Sequence, residues 1–177
     1  MLYAFGFERI GVVVSDLYFV NPNPVRGREG AEQGVRLEIR LLERGELRGS
    51  KFSAQPIAVD RPIWRADLLE SVDRPGTLDR AHHHPRFKGW EPERHQFVDA
   101  MSTDPLGWVG DRLADLDGML EDSGLSDEFL AGPDAEQLRR AVPEILEAVG
   151  HLLDRVRAGE LAQPPRPAVE SARVGWL

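Results

Sequence analysis

Residues 35–42 read VRLEIRLL, an alternation of branched apolar side chains with charged ones that ends in a second leucine. A period of two puts the apolar side chains on one face of a β-strand and the charged side chains on the other. The stretch therefore predicts a strand with one face in a hydrophobic core and the other in water.

The segments on either side extend this strand into an antiparallel meander. Residues 5–20 are rich in aromatic and β-branched side chains and predict a strand, while the prolines and glycines of residues 21–30 predict an exposed loop. Residues 44–46 predict a hairpin turn. Residues 47–58 predict a weaker strand, in which Pro56 has to lie at an edge or a bulge.

Beyond residue 100 the apolar period becomes helical. Asp104 followed by Pro105 is a helix start signal, and Gly124 can end the helix. The predicted apolar stripe of this helix comprises Leu106, Val109, Leu113, Leu116 and Leu120. A second helix opens at Asp134, with Pro143 either kinking or restarting it. Its stripe comprises Leu138, Val142, Ile145, Leu146, Val149, Leu152, Leu153 and Val156.

Strands followed by helices predict an α+β fold, with a curved antiparallel sheet of five or six strands and two or three helices packed on it. Residues 1–162 form one predicted domain, β-rich over 1–100 and helical over 101–162, in which residues 126–130 add a short turn. The proline-rich tail, 163–177, is expected to be extended and to dock through Trp176.

Composition limits the function classes. Hydrophobic residues make up 41% of the chain and the net charge is −8, with 15 acidic and 7 basic side chains in residues 101–177. An acidic surface disfavours nucleic acid, and no apolar run is long enough to cross a membrane. The absence of cysteine leaves histidine and carboxylates as the strong metal ligands. Without a secretory signal the expected location is cytoplasmic, and the preference for arginine over lysine suggests a bacterial source.

The side chains best suited to catalysis or metal binding lie in a second predicted hairpin. In it, residues 63–72 and 78–87 flank a type II turn at Pro75-Gly76. If the turn is flanked by Arg74 and Thr77, residues whose numbers sum to 151 are paired. The predicted pairs are Leu69 with His82, Asp67 with His84, Ser71 with Arg80, and Arg65 with Arg86. Alternation then collects the polar side chains on one face and leaves Trp64, Ala66, Leu68, Val72, Ala81, His83 and Phe87 on the other.

Three consecutive histidines on a strand divide between its faces, so only His82 and His84 can converge. With Asp67 beside them, these side chains could form a facial triad of two imidazoles and a carboxylate that binds a divalent iron, manganese or zinc ion. His95 could be a further ligand. The sequence thus suggests a metal-dependent hydrolytic enzyme.

The same side chains could also act without metal. His84 oriented by Asp67 would then be the general base and His82 the acid, because an imidazole can exchange protons near neutral pH. An anionic substrate or transition state would be stabilised by one or more of Arg65, Arg80 and Arg86.

Non-catalytic alternatives remain open at this stage. The histidine segment could be a wet, polar surface strand whose arginine and aspartate neighbours form ordinary cross-strand ion pairs, and Trp90 is expected to be a core anchor rather than a lid. The chain would then be a protein-binding or homo-oligomerising module that uses its helix stripes.

Overall fold

The computed structural model describes residues 1–125 and 133–165, and it confirms an α+β fold with an open antiparallel sheet. The sheet has five strands that pair in chain order: β1 Leu2–Gly6, β2 Ile10–Val20, β3 Ala31–Arg44, β4 Ile57–Ser71 and β5 His82–His84. A separate two-stranded hairpin follows, with β6 Phe87–Lys88 and β7 Glu91–Pro92. The helices are α1 Ala100–Thr103, α2 Pro105–Ala114, α3 Leu116–Ser123 and α4 Asp134–Arg157.

The helices cover one face of the sheet. Helix α4 packs on β2 and β3, α3 packs on β4, and α2 packs on α4. The strands contribute alternate apolar side chains to this core, including Val12 and Val14 of β2, Val35, Leu37 and Ile39 of β3, and Trp64, Ala66 and Leu68 of β4. The indole of Trp64 stacks on that of Trp108 in α2, with ring centroids 6.0 Å apart. The core face predicted for residues 35–42 is confirmed, but the opposite face does not lie in water, because Glu38 is buried and Arg36 and Arg40 are partly buried.

The predicted strand over residues 5–20 is in fact a hairpin. Chain reversal occurs between β1 and β2, where Phe7 N donates to the Ile10 carbonyl at 2.9 Å. The backbone amides of Glu8 and Arg9 donate to the carboxylate of Asp134, at the start of α4. This turn is thus stabilised by a residue more than a hundred positions away in the sequence.

The predicted strand over residues 47–58 is wrong apart from its last two residues. The chain from Gly45 to Pro56 is a loop, and the strand that pairs with β3 begins at Ile57 and runs to Ser71. Strand β4 contains Pro62, which pairs with Arg40 where the register shifts. A bulge tolerates a residue without an amide hydrogen, so the proline does not end the strand.

In the helical half, the first predicted helix begins and ends at the predicted residues, except that it is two helices. Asp104 caps α2 by accepting from Gly107 N at 3.0 Å, and Gly124 ends α3 in a left-handed conformation. The first predicted helix is divided at Asp115, whose side chain accepts from Gly118 N and starts α3. Helix α4 continues through Pro143, so a restart there is wrong. The predicted turn at residues 126–130 and the tail from residue 166 lie outside the described residues.

Among residues 1–125 and 133–165, no helix has the length and apolar character needed to cross a bilayer.

Candidate metal centre

Strand β5 lies beside β4 in a register that differs from the prediction. Asp67 pairs with His82, and Arg65 pairs with His84. The predicted pairs of Leu69 with His82 and Asp67 with His84 are therefore wrong by two residues. Because side chains alternate with a period of two, this shift keeps Asp67, His82 and His84 on one face and His83 on the other, as predicted.

The shift originates in the chain between the turn and β5. The predicted Pro75-Gly76 turn is present, with Thr77 N donating to the Arg74 carbonyl and Gly76 at φ 84°. After it, Leu78 adopts a φ of 48° and buries its side chain in the core. Asp79 then accepts from Ser71 N at 2.9 Å. In a tight hairpin Leu78 and Asp79 would have paired with residues on the other side of the turn, so their other contacts shift the register of β5.

Asp67, His82 and His84 converge on the sheet face opposite the helices. Nε2 of His82 lies 3.4 Å from Oδ2 of Asp67, and Nε2 of His84 lies 3.7 Å from the same oxygen. One potential ligand atom from each residue falls within 4.8 Å of the others. Within the described part of the chain, these three side chains are the ones brought together as a potential metal site.

Both imidazoles are oriented by backbone carbonyls. Nδ1 of His82 is 2.8 Å from the carbonyl oxygen of Arg80, and Nδ1 of His84 is 2.9 Å from that of Glu93. A carbonyl can only accept, so each Nδ1 carries the hydrogen and donates it. In the neutral ring, Nε2 then has a free lone pair directed towards Asp67.

Asp67 is the buried charge of the cluster, since its side chain is only 1% exposed. Arg36 Nε donates to Oδ1 at 2.7 Å, and Arg65 Nε lies 3.0 Å from Oδ2 without its N–H being directed at that oxygen. Burial alone would raise the pKa of Asp67, but contact with His82 and the charges of both arginines lower this pKa well below its usual range. Asp67 is therefore ionised at neutral pH.

His84 is the buried imidazole, and only 6% of the residue is exposed. Burial, reinforced by the positive charge of Arg65, lowers the pKa of His84 to about 4. The ring is therefore neutral at pH 7, and its buried Nε2 has no hydrogen-bond partner among the described residues. A lone pair facing a carboxylate oxygen is an unfavourable arrangement unless a proton donor or a cation lies between them.

His95 lies next to the cluster but does not bring a nitrogen into it. Its ring centroid is 5.0 Å from that of His82 and 5.8 Å from that of His84. Partial burial and the neighbouring His82 lower the pKa of His95. The outer side is lined by Phe97, whose ring centroid is 4.8 Å from that of His95 and which lies beneath the guanidinium of Arg28.

The arginines predicted to help catalysis take different places. Arg65 lies against Asp67, whereas Arg80 directs its guanidinium at the Gly27 carbonyl, 3.4 Å away. Arg86 donates to the backbone carbonyl of Asp122 on α3, and it lines a cavity together with His83 rather than with His82 and His84.

Two further predictions about this region are wrong. The histidine segment is not a wet surface strand, because His83 and His84 are both buried, although the ion pairs expected beside it are present between Asp67 and the arginines Arg36 and Arg65. Trp90 is not a core anchor, since its side chain is 59% exposed, with Arg40 over its ring. The sequence interpretation also missed Arg36, although the alternation over residues 35–42 puts it on the same face as Asp67.

Comparisons of the chain with protein-family models, with curated proteins and with solved structures find no match.

Proposed function

We propose that the protein binds one divalent transition-metal ion through Nε2 of His82, Nε2 of His84 and Oδ2 of Asp67. The observation that carries this proposal is the orientation of the two rings. Each Nδ1–H donates to a backbone carbonyl, which turns both Nε2 lone pairs towards one carboxylate oxygen. The same arrangement fixes the tautomer of histidine ligands in metal sites.

The donor set favours a particular class of metal. Two imidazole nitrogens and one carboxylate oxygen suit divalent zinc, iron or manganese, whereas calcium and magnesium prefer sites made of oxygen alone. Arg36 donates to Oδ1 of Asp67 at 2.7 Å and, over a longer distance of 3.4 Å, to Oδ2, which also faces the imidazoles. A cation between Oδ2 and His84 Nε2 would also supply the partner that this buried nitrogen lacks.

Metal-dependent hydrolysis is the reaction class that we propose for this site. Three protein ligands leave coordination positions for water and substrate, and a bound divalent ion lowers the pKa of water towards neutrality. Access would be from the side of His82, whose side chain retains 16% exposure. The charges of Arg36 and Arg65 beside the ligands favour a substrate that is itself an anion.

Acid and base catalysis by the same residues is the second candidate. It is supported by the 3.4 Å separation between His82 Nε2 and Asp67 Oδ2, which would allow a protonated His82 to donate to the carboxylate. In this alternative His82 exchanges protons with the substrate without any metal. A non-catalytic, self-associating module remains a further prediction, which the mass of the protein in solution would test.

Metal content is the measurement that separates the two catalytic candidates. Protein purified without an affinity tag is treated with a chelator and dialysed against zinc, iron(II) or manganese. Its metal content is then measured by elemental mass spectrometry. We expect one ion per chain in the wild type and none in a folded His82→Ala/His84→Ala double variant. His151→Ala is the matched control, because it removes an exposed imidazole from α4.

Two results would contradict the metal proposal. One is wild-type protein that takes up no stoichiometric ion, and the other is a double variant that retains the ion. If the metal is present, hydrolysis of chromogenic phosphate esters and carboxylate esters is then compared before and after chelation. Turnover that survives chelation and is lost in the double variant would favour the acid and base alternative.

A further inference from the structure

A second polar site lies on the opposite face of β5. An open cavity of about 370 Å³ is lined by residues of β5, of the chain from Pro85 to Gln96, and of helices α2 and α3. The side chains relevant to its chemistry are His83, Arg86, Glu93, Arg94, Arg112 and Asp122. Since His83 alternates with His82 and His84, β5 separates this cavity from the Asp67 cluster.

The cavity is positively charged within an acidic protein. It is lined by three guanidinium groups and two carboxylates, although the chain as a whole has a net charge of −8. Within residues 1–125 and 133–165, none of Arg86, Arg94 and Arg112 has a carboxylate oxygen within 4.0 Å of its charged nitrogens. Their charges are therefore not neutralised by ion pairs in the part of the chain that the structure describes.

Two of the arginines are held in position by uncharged groups. Arg86 uses Nε to donate to the Asp122 carbonyl at 2.5 Å, which leaves its other N–H groups for a ligand. The guanidinium of Arg112 lies 5.8 Å from the centroid of the Trp108 ring. Arg94, which is exposed, supplies the third cationic group.

His83 forms the inner wall of the cavity. The residue is only 4% exposed, and its Nδ1 is buried without a hydrogen-bond partner among the described residues. Its ring is fixed by Trp108, with centroids 5.0 Å apart, so it cannot easily turn away to find water. The buried Nδ1 does not reach the cavity, so His83 contributes a fixed ring to the inner wall and a ligand would be bound by the arginines.

We propose that this cavity binds a phosphate group, either free or carried by a small metabolite. Guanidinium groups match the oxygens of phosphate in geometry as well as charge. Three guanidinium groups are more than a ligand with one carboxylate would need. The volume falls within the range typical of small-ligand sites. The proposal does not depend on the metal centre, because no residue of the cavity belongs to the Asp67 cluster.

Titration calorimetry with inorganic phosphate tests the proposal on the full chain. The protein is treated with chelator, and ionic strength is held constant with sodium chloride so that general screening does not change. We expect saturable binding of one phosphate, weakened about tenfold or more in Arg94→Ala, the usual effect of losing one charged hydrogen bond. Arg139→Ala removes the same charge from an exposed position on α4 and should bind as the wild type does.

The outcomes separate this site from the metal centre. Phosphate binding that is retained in His82→Ala/His84→Ala and weakened in Arg94→Ala supports the cavity. The proposal is overturned by the absence of saturable heat up to about 10 mM phosphate. It is also overturned if Arg94→Ala binds normally, or if binding disappears only in the double histidine variant. Repeating the titration with a phosphorylated sugar then distinguishes free phosphate from a phosphate ester.

Discussion

Replacing Asp67 with asparagine should destabilise the metal-free protein severely. The substitution keeps the size of the side chain but removes the charge that faces Arg36 and Arg65. Removing one partner from a buried ion pair costs about 3–5 kcal/mol, because the other charge stays buried without compensation. Asp67 meets the conditions for a loss of this size, since its side chain is 1% exposed and that of Arg65 is 13% exposed.

The measurement is urea denaturation of chelator-treated protein at pH 7. With a slope of about 2 kcal/mol per molar urea, the midpoint should fall by about 1.5–2.5 M. Asp111→Asn, at an exposed position on α2, is the matched control and should change the free energy of unfolding by less than about 0.5 kcal/mol. A loss below about 1 kcal/mol for Asp67→Asn would refute the argument that the carboxylate is the essential counter-charge of a buried cluster.

The difference in free energy of unfolding between the wild type and Asp67→Asn should also depend on pH. The folded pKa of Asp67 lies below the unfolded one, so the stability it contributes is present above the unfolded pKa, near 3.9. That stability is lost as the pH falls from there through the folded pKa. The difference in free energy of unfolding between the wild type and Asp67→Asn should therefore be constant near neutral pH and become smaller at acidic pH.

Three further predictions concern stability, each measured by denaturation of metal-free protein. Gly34→Ala should cost more than about 2 kcal/mol, because an added Cβ would overlap the carbonyl oxygen of Leu68; an unchanged melting temperature would contradict this close approach. Asp134→Ala should cost about 1–3 kcal/mol, since two amides of the β1–β2 turn lose their acceptor, and Asp134→Asn should recover part of the loss. His83 and His84 each have a pKa lowered to about 4 and bind a proton more readily when unfolded, so the free energy of unfolding should fall as the pH drops from about 6.5 to 4, by at most about 1.4 kcal/mol per pH unit for each ring. His84→Gln should reduce this slope by the contribution of one ring, and an equal slope in both proteins would contradict the prediction.

The fold was predictable where the signal is local. The alternation of residues 35–42 and the Asp104-Pro105 helix start depend on neighbouring side chains, and both are confirmed. The β1–β2 turn was missed because it contains no proline or asparagine and is held by Asp134 from the other half of the chain. The extent of β4 was missed because Pro62 is tolerated only through a bulge that the sequence does not mark.

The candidate site was predictable as a set of residues but not as a geometry. A period of two was sufficient to put Asp67, His82 and His84 on one face in the predicted register and in any register that differs from it by an even number of residues. The register itself depends on Leu78, which enters the core instead of pairing. Arg36 pairs with Asp67 from a strand 31 residues earlier, a contact that no short-range pattern reports.

The three histidines of β5 limit how the length of the connection between β4 and β5 can change. One extra residue in that connection would rotate the strand by half a period, which would deliver His83 to Asp67 and turn His82 and His84 towards the tryptophans and the cavity. Two extra residues would preserve every environment while changing only the partners across the sheet. Variation in the length of this connection should therefore be tolerated in steps of two, because homologues that obey this parity would keep His82 and His84 on the Asp67 face and His83 on the opposite face.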